Sequence, residues 1–420
     1  SAVSTPAGGW RGQLASWLER PRVQNALITL ILINAVILGL ETSTAVMAQW
    51  GPLLITLDRL ILGVFVVEIA LRIAAHRLTF FRDPWSVFDF LVVGISLIPA
   101  SGPFVSTWGP LGSGEGQFNR PCGITASQDG TVFVADSGND RIQSFELDGR
   151  FLGSFGSTGS AEGELDFPAD VAVAPDGSLL VADDGNHRIQ RFTAQGRFLH
   201  AWGSEGDGPG RFVHPLGVAV AGDGSVYVAD TANHRIQRFE PHGAFSAQWS
   251  EAGPFGSLDT PWGLDVDVDG VVVVADRNNH RLVRFDSTGR AEAVIGSPGR
   301  GAGQLAAPAG VAIASDGTLY AVDRGNHRIQ RLGPDGQFLG VWGAPGSGAG
   351  QFVTPAGLAA APDGTVYVAD GGNDRIQHLA PDGRFLGQWG SYGHGPGEFL
   401  DPTGVAVAPD GSVYVTDGGN

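Results

Sequence analysis

Lysine is absent from the 420 residues, so every fixed positive charge is an arginine. Cysteine is nearly absent too. The single Cys122 excludes an internal disulfide and any cysteine metal cluster, and therefore says nothing of the redox compartment. At its place in the repeats described below it reads as a small apolar filler. The formal net charge is −17 and it is unevenly placed. Residues 1–103 hold 7 Arg against 6 acids, whereas residues 104–420 hold 19 Arg against 37. An acidic second part of this kind excludes nucleic acid as a partner, because phosphate binding needs a basic face. The length calls for at least two domains. The chain opens on Ser1 and stops at DGGN inside a repeat, so both ends read as cut.

Three apolar runs fill the first hundred residues: VQNALITLILINAVILGL (23–40), LLITLDRLILGVFVVEIALRIAA (53–75) and WSVFDFLVVGISLIPA (85–100). Each is close to the roughly 17–25 residues that cross a bilayer. They predict three transmembrane helices over 23–103 after a short N-terminal segment, 1–22. A soluble helical bundle is the alternative, and the scarcity of polar faces speaks against it. Charges inside such helices are costly and usually functional. Here they are Asp58, Glu68 and Asp89, with Asn34 and Glu41 on the first helix.

Phe65 and Glu68, in F-x-x-E spacing, together with LGLETS and LDRLILGVFVVEIALRIAAHRLTFFRDPWSVFDFLVVGISLIPASGPF, resemble the first three voltage-sensor helices of bacterial voltage-gated sodium channels. The resemblance implies that Phe65 and Glu68 are the aromatic plug and acid and Asp89 the third-helix acid. It implies an outer polar group of Asn34, Glu41 and Asp58. That family continues into an arginine-rich fourth helix and a pore. Here VSTWGP follows, with no arginine until Arg120. The chain alone is therefore expected neither to gate nor to conduct, although a channel-related protein with a separate fourth helix and pore stays open as an alternative. Arginines 11, 20, 22, 72, 77 and 82 place the N-terminus and the second connection in the cytoplasm by the positive-inside rule. Three crossings then put everything after about residue 101 outside a bacterial inner membrane, in the periplasm or at the cell surface. The abrupt join also admits a recent fusion or a gene-assembly artefact.

From residue 104 to 420 the chain repeats itself. FVADSGNDRIQSF, LVADDGNHRIQRF, YVADTANHRIQRF, VVADRNNHRLVRF, YAVDRGNHRIQRL, YVADGGNDRIQHL and YVTDGGN place an Asp at 136, 183, 230, 276, 323, 370 and 417. A period of 40–50 residues with short alternating stretches is the signature of propeller blades. In one unit GVAV, SVYVAD, HRIQRFE and AFSAQW read as four strands, separated by turns rich in Gly and Asn. The pattern resembles NHL-repeat β-propellers. Six blades with an untidy end are expected and seven are possible. The FVSTWG of 104–109 is a candidate outer strand that closes the ring on the last blade.

Features common to every blade read as architecture. Asp183 with Arg188, and Asp230 with Arg235, are expected to tie a turn inside each blade. His187, His234, His280 and His327 hold one repeat position and so lie a blade apart, too far for a shared zinc ion. Departures are more informative. The residue before each unit's Pro varies (Arg120, His214, Thr260, Thr354, Asp401), as does the residue after V-A-D (Asp184, Arg277, Arg324). Trp262 stands where other units have small residues or Leu. Variable loop-end positions are where propellers bind ligands, so Arg120, Asp184, His214, Trp262, Arg277 and Arg324 are the candidate ligand-binding residues. Core packing is the equal alternative for Trp262. DVDVDG at 265–270 suggests a calcium site at Asp265 and Asp267, against the simpler reading of a hairpin turn.

Some NHL-like propellers are metal-dependent lyases or lactonases. The inner strands here are almost wholly apolar and show no nucleophile–base pair, so a non-enzyme is expected. The overall expectation is a membrane-tethered propeller, without a resident cofactor, that binds a protein, peptide or glycan.

Overall fold

The computed structural model describes residues 107–419, together with Val23 and Thr29, both helical. Ser1–Ala100 and Ser101–Asn420 form separate compact units. The three helices and the sensor-like residues Asn34, Glu41, Asp58, Phe65, Glu68 and Asp89 lie outside the described residues. Among the described residues no helix is long and apolar enough to cross a membrane.

The second unit is a β-propeller. The first blade consists of Pro121–Ala126, Val132–Asp136, Arg141–Phe145 and Phe151–Phe155, paired antiparallel in that order. Five more four-stranded blades follow, over 168–202, 215–249, 261–295, 311–342 and 358–389. Six complete blades are thus present, as expected, and the untidy end is a two-stranded sheet, Pro402–Val407 with Val413–Asp417. That sheet is joined to the first blade. The Thr416 hydroxyl donates to the Cys122 carbonyl at 2.9 Å, and the Tyr414 hydroxyl to the Leu147 carbonyl at 2.8 Å.

Alternation places the core. Second strands such as Val226–Asp230 are buried from end to end, because both faces of a blade are covered by its neighbours. Fourth strands such as Phe151–Phe155 alternate half-buried and exposed residues. Each interface is one apolar cluster shared by two blades. Phe133, Ala135 and Ile142 of the first blade meet Val171, Val181 and Phe192 of the second, and Phe118, Val132 and Phe145 meet Ala408 and Tyr414 of the last sheet. Fully burying such a side chain stabilises by roughly 1.5–3 kcal/mol.

The V-A-D aspartate is the polar centre of each blade. Asp230 is fully buried. Its carboxylate accepts from Arg235 Nε at 2.7 Å, Asn233 Nδ2 at 2.9 Å, Gln237 Nε2 at 2.9 Å and the Val213 backbone N–H at 2.8 Å. The Arg235 guanidinium then donates to the carbonyls of Asp207, Gly208 and Arg211, clamping the loop that enters the blade. Asp136, Asp183, Asp323 and Asp370 repeat the arrangement, and Asp276 does so without the glutamine, since Val283 stands there. The expected ties of Asp183 to Arg188 and Asp230 to Arg235 are present at 2.7 Å each.

Removing one member leaves buried partners unpaired. Asp230→Ala is therefore expected to lower unfolding stability by about 3–5 kcal/mol, read as a shift in the urea midpoint. A loss below about 1 kcal/mol would show that the cluster is not what secures the blade.

Candidate functional site on the strand-end face

First strands begin where second strands end: Pro121 pairs with Asp136 and Pro261 with Asp276. The residues flanking each Pro and those following each V-A-D therefore share one end of the ring. All the candidate residues, Arg120, Asp184, His214, Trp262, Arg277 and Arg324, stand at this end.

Two positions per blade on this face are left-handed. One is the residue before Pro (Arg120 φ 50°, His214 φ 54°, Thr260 φ 55°, Asp401 φ 53°) and the other is the turn residue before the repeat Arg (Asp140 φ 55°, His187 φ 55°, His280 φ 55°). Such a conformation disfavours most side chains and needs support. Support comes across the blade boundary. The Ala307 backbone N–H donates to His280 Nδ1 at 2.8 Å, that of Thr354 to His327 Nδ1 at 2.9 Å, and that of Thr260 to His234 Nδ1 at 3.0 Å. Where the turn residue is Asp, its carboxylate accepts instead: Phe167 N–H to Asp140 at 2.8 Å, Asp401 N–H to Asp374 at 2.9 Å. The histidines of the repeat are thus acceptors that link neighbouring blades. His280→Asp should accordingly keep the wild-type melting temperature, while His280→Ala should cost about 1 kcal/mol. Equal loss in both variants would refute the acceptor role.

Two groups on the face are not used for the architecture. In the first, His214 Nδ1 lies 3.0 Å from Asp184 Oδ1 and its ring meets that of His187 edge-on at 5.1 Å. The His214 side chain is 57% exposed and that of Asp184 only 13%, so the carboxylate sits behind the ring. Burial raises the Asp184 pKa above the usual carboxylate value, and the hydrogen bond from His214 opposes the rise. The tautomer that donates Nδ1–H to the carboxylate has Nε2 as its acceptor nitrogen. In the second group, the Arg277 guanidinium lies over the Trp262 ring at 4.2 Å. Burial lowers the Arg277 pKa, and the like charge of Arg324 lowers it further. Trp262 is 40% exposed and so is an open anchor as well as a stacking partner. Arg120 stands apart, over the Phe167 ring at 5.3 Å. Phe167 was missed by sequence reasoning, although it holds the same variable position before Pro.

Asp265 and Asp267 do not act together. The Asp265 carboxylate accepts from the Val266 N–H at 2.8 Å and, across the blade boundary, from the Ile313 N–H at 2.8 Å. Asp267 lies past the strand end and accepts from Asp269 and Val271 N–H groups at 2.9 Å each, the ordinary hairpin bonds. Among the described residues no three His, Cys, Asp or Glu side chains gather into a metal-ligating group. No step below passes through a metal ion.

Asp170 has the same character as Asp265 and was not anticipated. It replaces the glycine of other blades, for example Gly123, Gly217 and Gly263. It accepts from the Val171 N–H at 2.9 Å and, across the blade boundary, the Val218 N–H at 3.1 Å. Asp170 and Asp265 are half-buried, yet they are packed closely enough that desolvation raises each pKa to about 6. A raised acid binds its proton more tightly folded than unfolded. Its contribution is fully present below about pH 4 and is lost as pH climbs to about 6, by up to about 3 kcal/mol. Asp265→Ala, which restores the residue of most other blades, should melt higher than wild type above pH 6, with the gap closing by pH 4. A gap independent of pH would rule this out.

The architecture defines a β-propeller with a variable strand-end face. Residues 115–418 match the Virginiamycin B lyase family, and the chain belongs to that family. Residues 20–113 match the ion transport protein family. Among solved structures, a streptogramin B lyase superposes with a TM-score of 0.60 at 19% identity, covering 76% of this chain and 97% of that one. A catalytically inactive virginiamycin B lyase from Staphylococcus aureus with quinupristin gives 0.58 at 17% identity, covering 74% of this chain and 95% of that one. Human cation channel sperm-associated protein 2 is 33% identical over 99 residues, 22% of this chain and 18% of that protein. Protein lin-41 of Caenorhabditis elegans is 50% identical over 52 residues, 12% of this chain and 4% of that protein. The chain thus spans less than a fifth of these curated relatives.

Family membership overturns the expectation of a non-enzyme. That expectation followed from the apolar inner strands, whereas His214, Asp184, Trp262 and Arg277 stand at the strand ends, where spacing along the chain does not reveal which of them meet.

Proposed function

We propose that the strand-end face of the second to fifth blades binds a peptide-like ester and cleaves it by elimination. The His214–Asp184 pair is the observation that supports this reading. In such a reaction a base removes a proton from carbon, the C–H electrons form a double bond, and the neighbouring C–O bond breaks. His214 Nε2 takes the proton. Asp184 orients the ring and steadies the imidazolium. Arg277 and Arg324 face the oxygen that leaves with negative charge, and Trp262 stacks on the substrate body. Family membership and the pairing of a solved relative with quinupristin support a cyclic ester of the streptogramin B type as the first substrate to try.

Incubation of the full chain with quinupristin should give an isomeric, ring-opened product with a new double bond, followed by mass spectrometry and ultraviolet absorbance. His214→Ala and Asp184→Asn should each lower kcat about 10²–10⁴-fold, Arg277→Ala should lower kcat about 10²–10³-fold, and Trp262→Ala should chiefly raise KM. An unchanged rate in His214→Ala, or no turnover across a panel of cyclic esters, would defeat the assignment.

We also propose that residues 23–103 tether the propeller to a bacterial inner membrane, with the N-terminus cytoplasmic and the propeller on the outer side. The ion transport match and the arginine distribution support this reading. Gln128 is exposed on a hairpin turn. In cells, Gln128→Cys should react with a membrane-impermeant maleimide added outside; labelling only after lysis would reverse the orientation.

A further inference from the structure

The side chain that follows each repeat aspartate has a fixed neighbour, the Pro that opens the next blade or the residue before it. Ser137 and Thr231 donate to the carbonyls of Pro168 and Pro261 at 2.6 and 2.8 Å. Asp184 meets His214 at 3.0 Å. A Cβ on Gly371 would lie 2.6 Å from Asp401 Oδ1. The same register sets Arg277 against Ala307 and Arg324 against Thr354, neither of which carries a charge. An aspartate thus stands before the Pro where the opposing residue is glycine, and is missing where the opposing residue is arginine.

Arg277 and Arg324 are consequently guanidiniums of neighbouring blades without a counter-ion. Among the described residues no carboxylate pairs with either, whereas Arg281 and Arg328, on the strands that follow them, are held by Asp276 at 2.6 Å and Asp323 at 2.7 Å. Other arginines outside an ion pair, such as Arg197, Arg211 and Arg300, are exposed, but Arg277 and Arg324 are half-buried. Burial first and the like charge of Arg324 second lower the Arg277 pKa, so the two cations feel one another. A partly desolvated charge with no partner is costly, and nothing in the architecture uses this pair. Stacking on Trp262 at 4.2 Å occupies the face of the Arg277 guanidinium and leaves its N–H edge free to donate. Trp262 itself remains 40% exposed.

We infer that Trp262, Arg277 and Arg324 form a binding site for the carboxylate of an aromatic acid. The guanidiniums donate to the carboxylate oxygens, and the open part of the Trp262 ring packs on the ring of the ligand. Because Arg277 lies directly over Trp262, the carboxylate and the aromatic ring must be close together in the ligand, as they are in phenylacetate. The inference rests on the elimination reading for the origin of the acid. When the C–O bond breaks, its electron pair stays on the ester oxygen, so the departing group is a carboxylate. The other half keeps the new double bond, His214 holds the proton, and no co-reactant is needed. The acid half of the ester substrate therefore carries an aromatic ring beside its carboxyl group.

Isothermal titration calorimetry of the full chain with phenylacetate should show saturable binding. Phenylacetamide, which has the same shape without the charge, should bind about tenfold more weakly or worse. That comparison is made on the wild-type protein, so the folding of a variant does not enter. Arg277→Gln and Arg324→Gln should each weaken phenylacetate about tenfold or more. Acetate should bind the wild type more weakly than phenylacetate does, and Trp262→Ala should remove the difference. No saturable binding, equal binding of phenylacetamide, unchanged affinity in either arginine variant, or inorganic phosphate binding as tightly as phenylacetate would each overturn the inference. Carboxylate binding without turnover of any cyclic ester would refute the elimination and uphold the site. Turnover without carboxylate binding would refute the site alone.

Discussion

Everything in the propeller depends on a buried aspartate that is never left alone. Asp136, Asp183, Asp230, Asp276, Asp323 and Asp370 are fully buried carboxylates, each held by an arginine five residues later and an asparagine three residues later. A charge in that position would be ruinous without partners. With them it fixes three things at once: the turn between second and third strands, the loop entering the blade, and the distance from one blade to the next. The apolar clusters supply most of the driving force but little direction. The aspartate cluster supplies direction, since a carboxylate with four donors accepts only one arrangement around it.

That arrangement generates the strand-end face. Because the turn is held closed, the residue before the repeat arginine is forced into the left-handed region and its side chain reaches the backbone of the following blade. Histidine and aspartate both serve, as an acceptor nitrogen or oxygen is all the contact requires. The architecture thus consumes the histidine ring that first attracts attention, and the side chains left outside it include groups that break the pattern. His214 with Asp184, and Trp262 with Arg277 and Arg324, are those groups.

The repeat made much of this legible. The 47-residue period, the turn glycines and the recurring Asp and Arg located the blades and their ties. The candidate residues were found because they vary where their neighbours do not. Their pairing was not legible: Asp184 and His214 are 30 residues apart and belong to different blades. Asp170 escaped notice because a glycine-to-aspartate change resembles ordinary variation until the next strand is seen against it. The apolar inner strands suggested a non-enzyme, which the family match corrected.

The sequence by itself determined the repeat, the alternation that buries each second strand, and the apolar character of residues 23–103, since periodicity and hydropathy are local properties of a chain. Tertiary structure alone decided which polar groups meet. It set His214 against Asp184, turned Asp265 toward Ile313 rather than Asp267, and laid Trp108 over Gly149 of the first blade. Those contacts cross blade boundaries, and ring geometry brings together residues that no spacing along the chain relates.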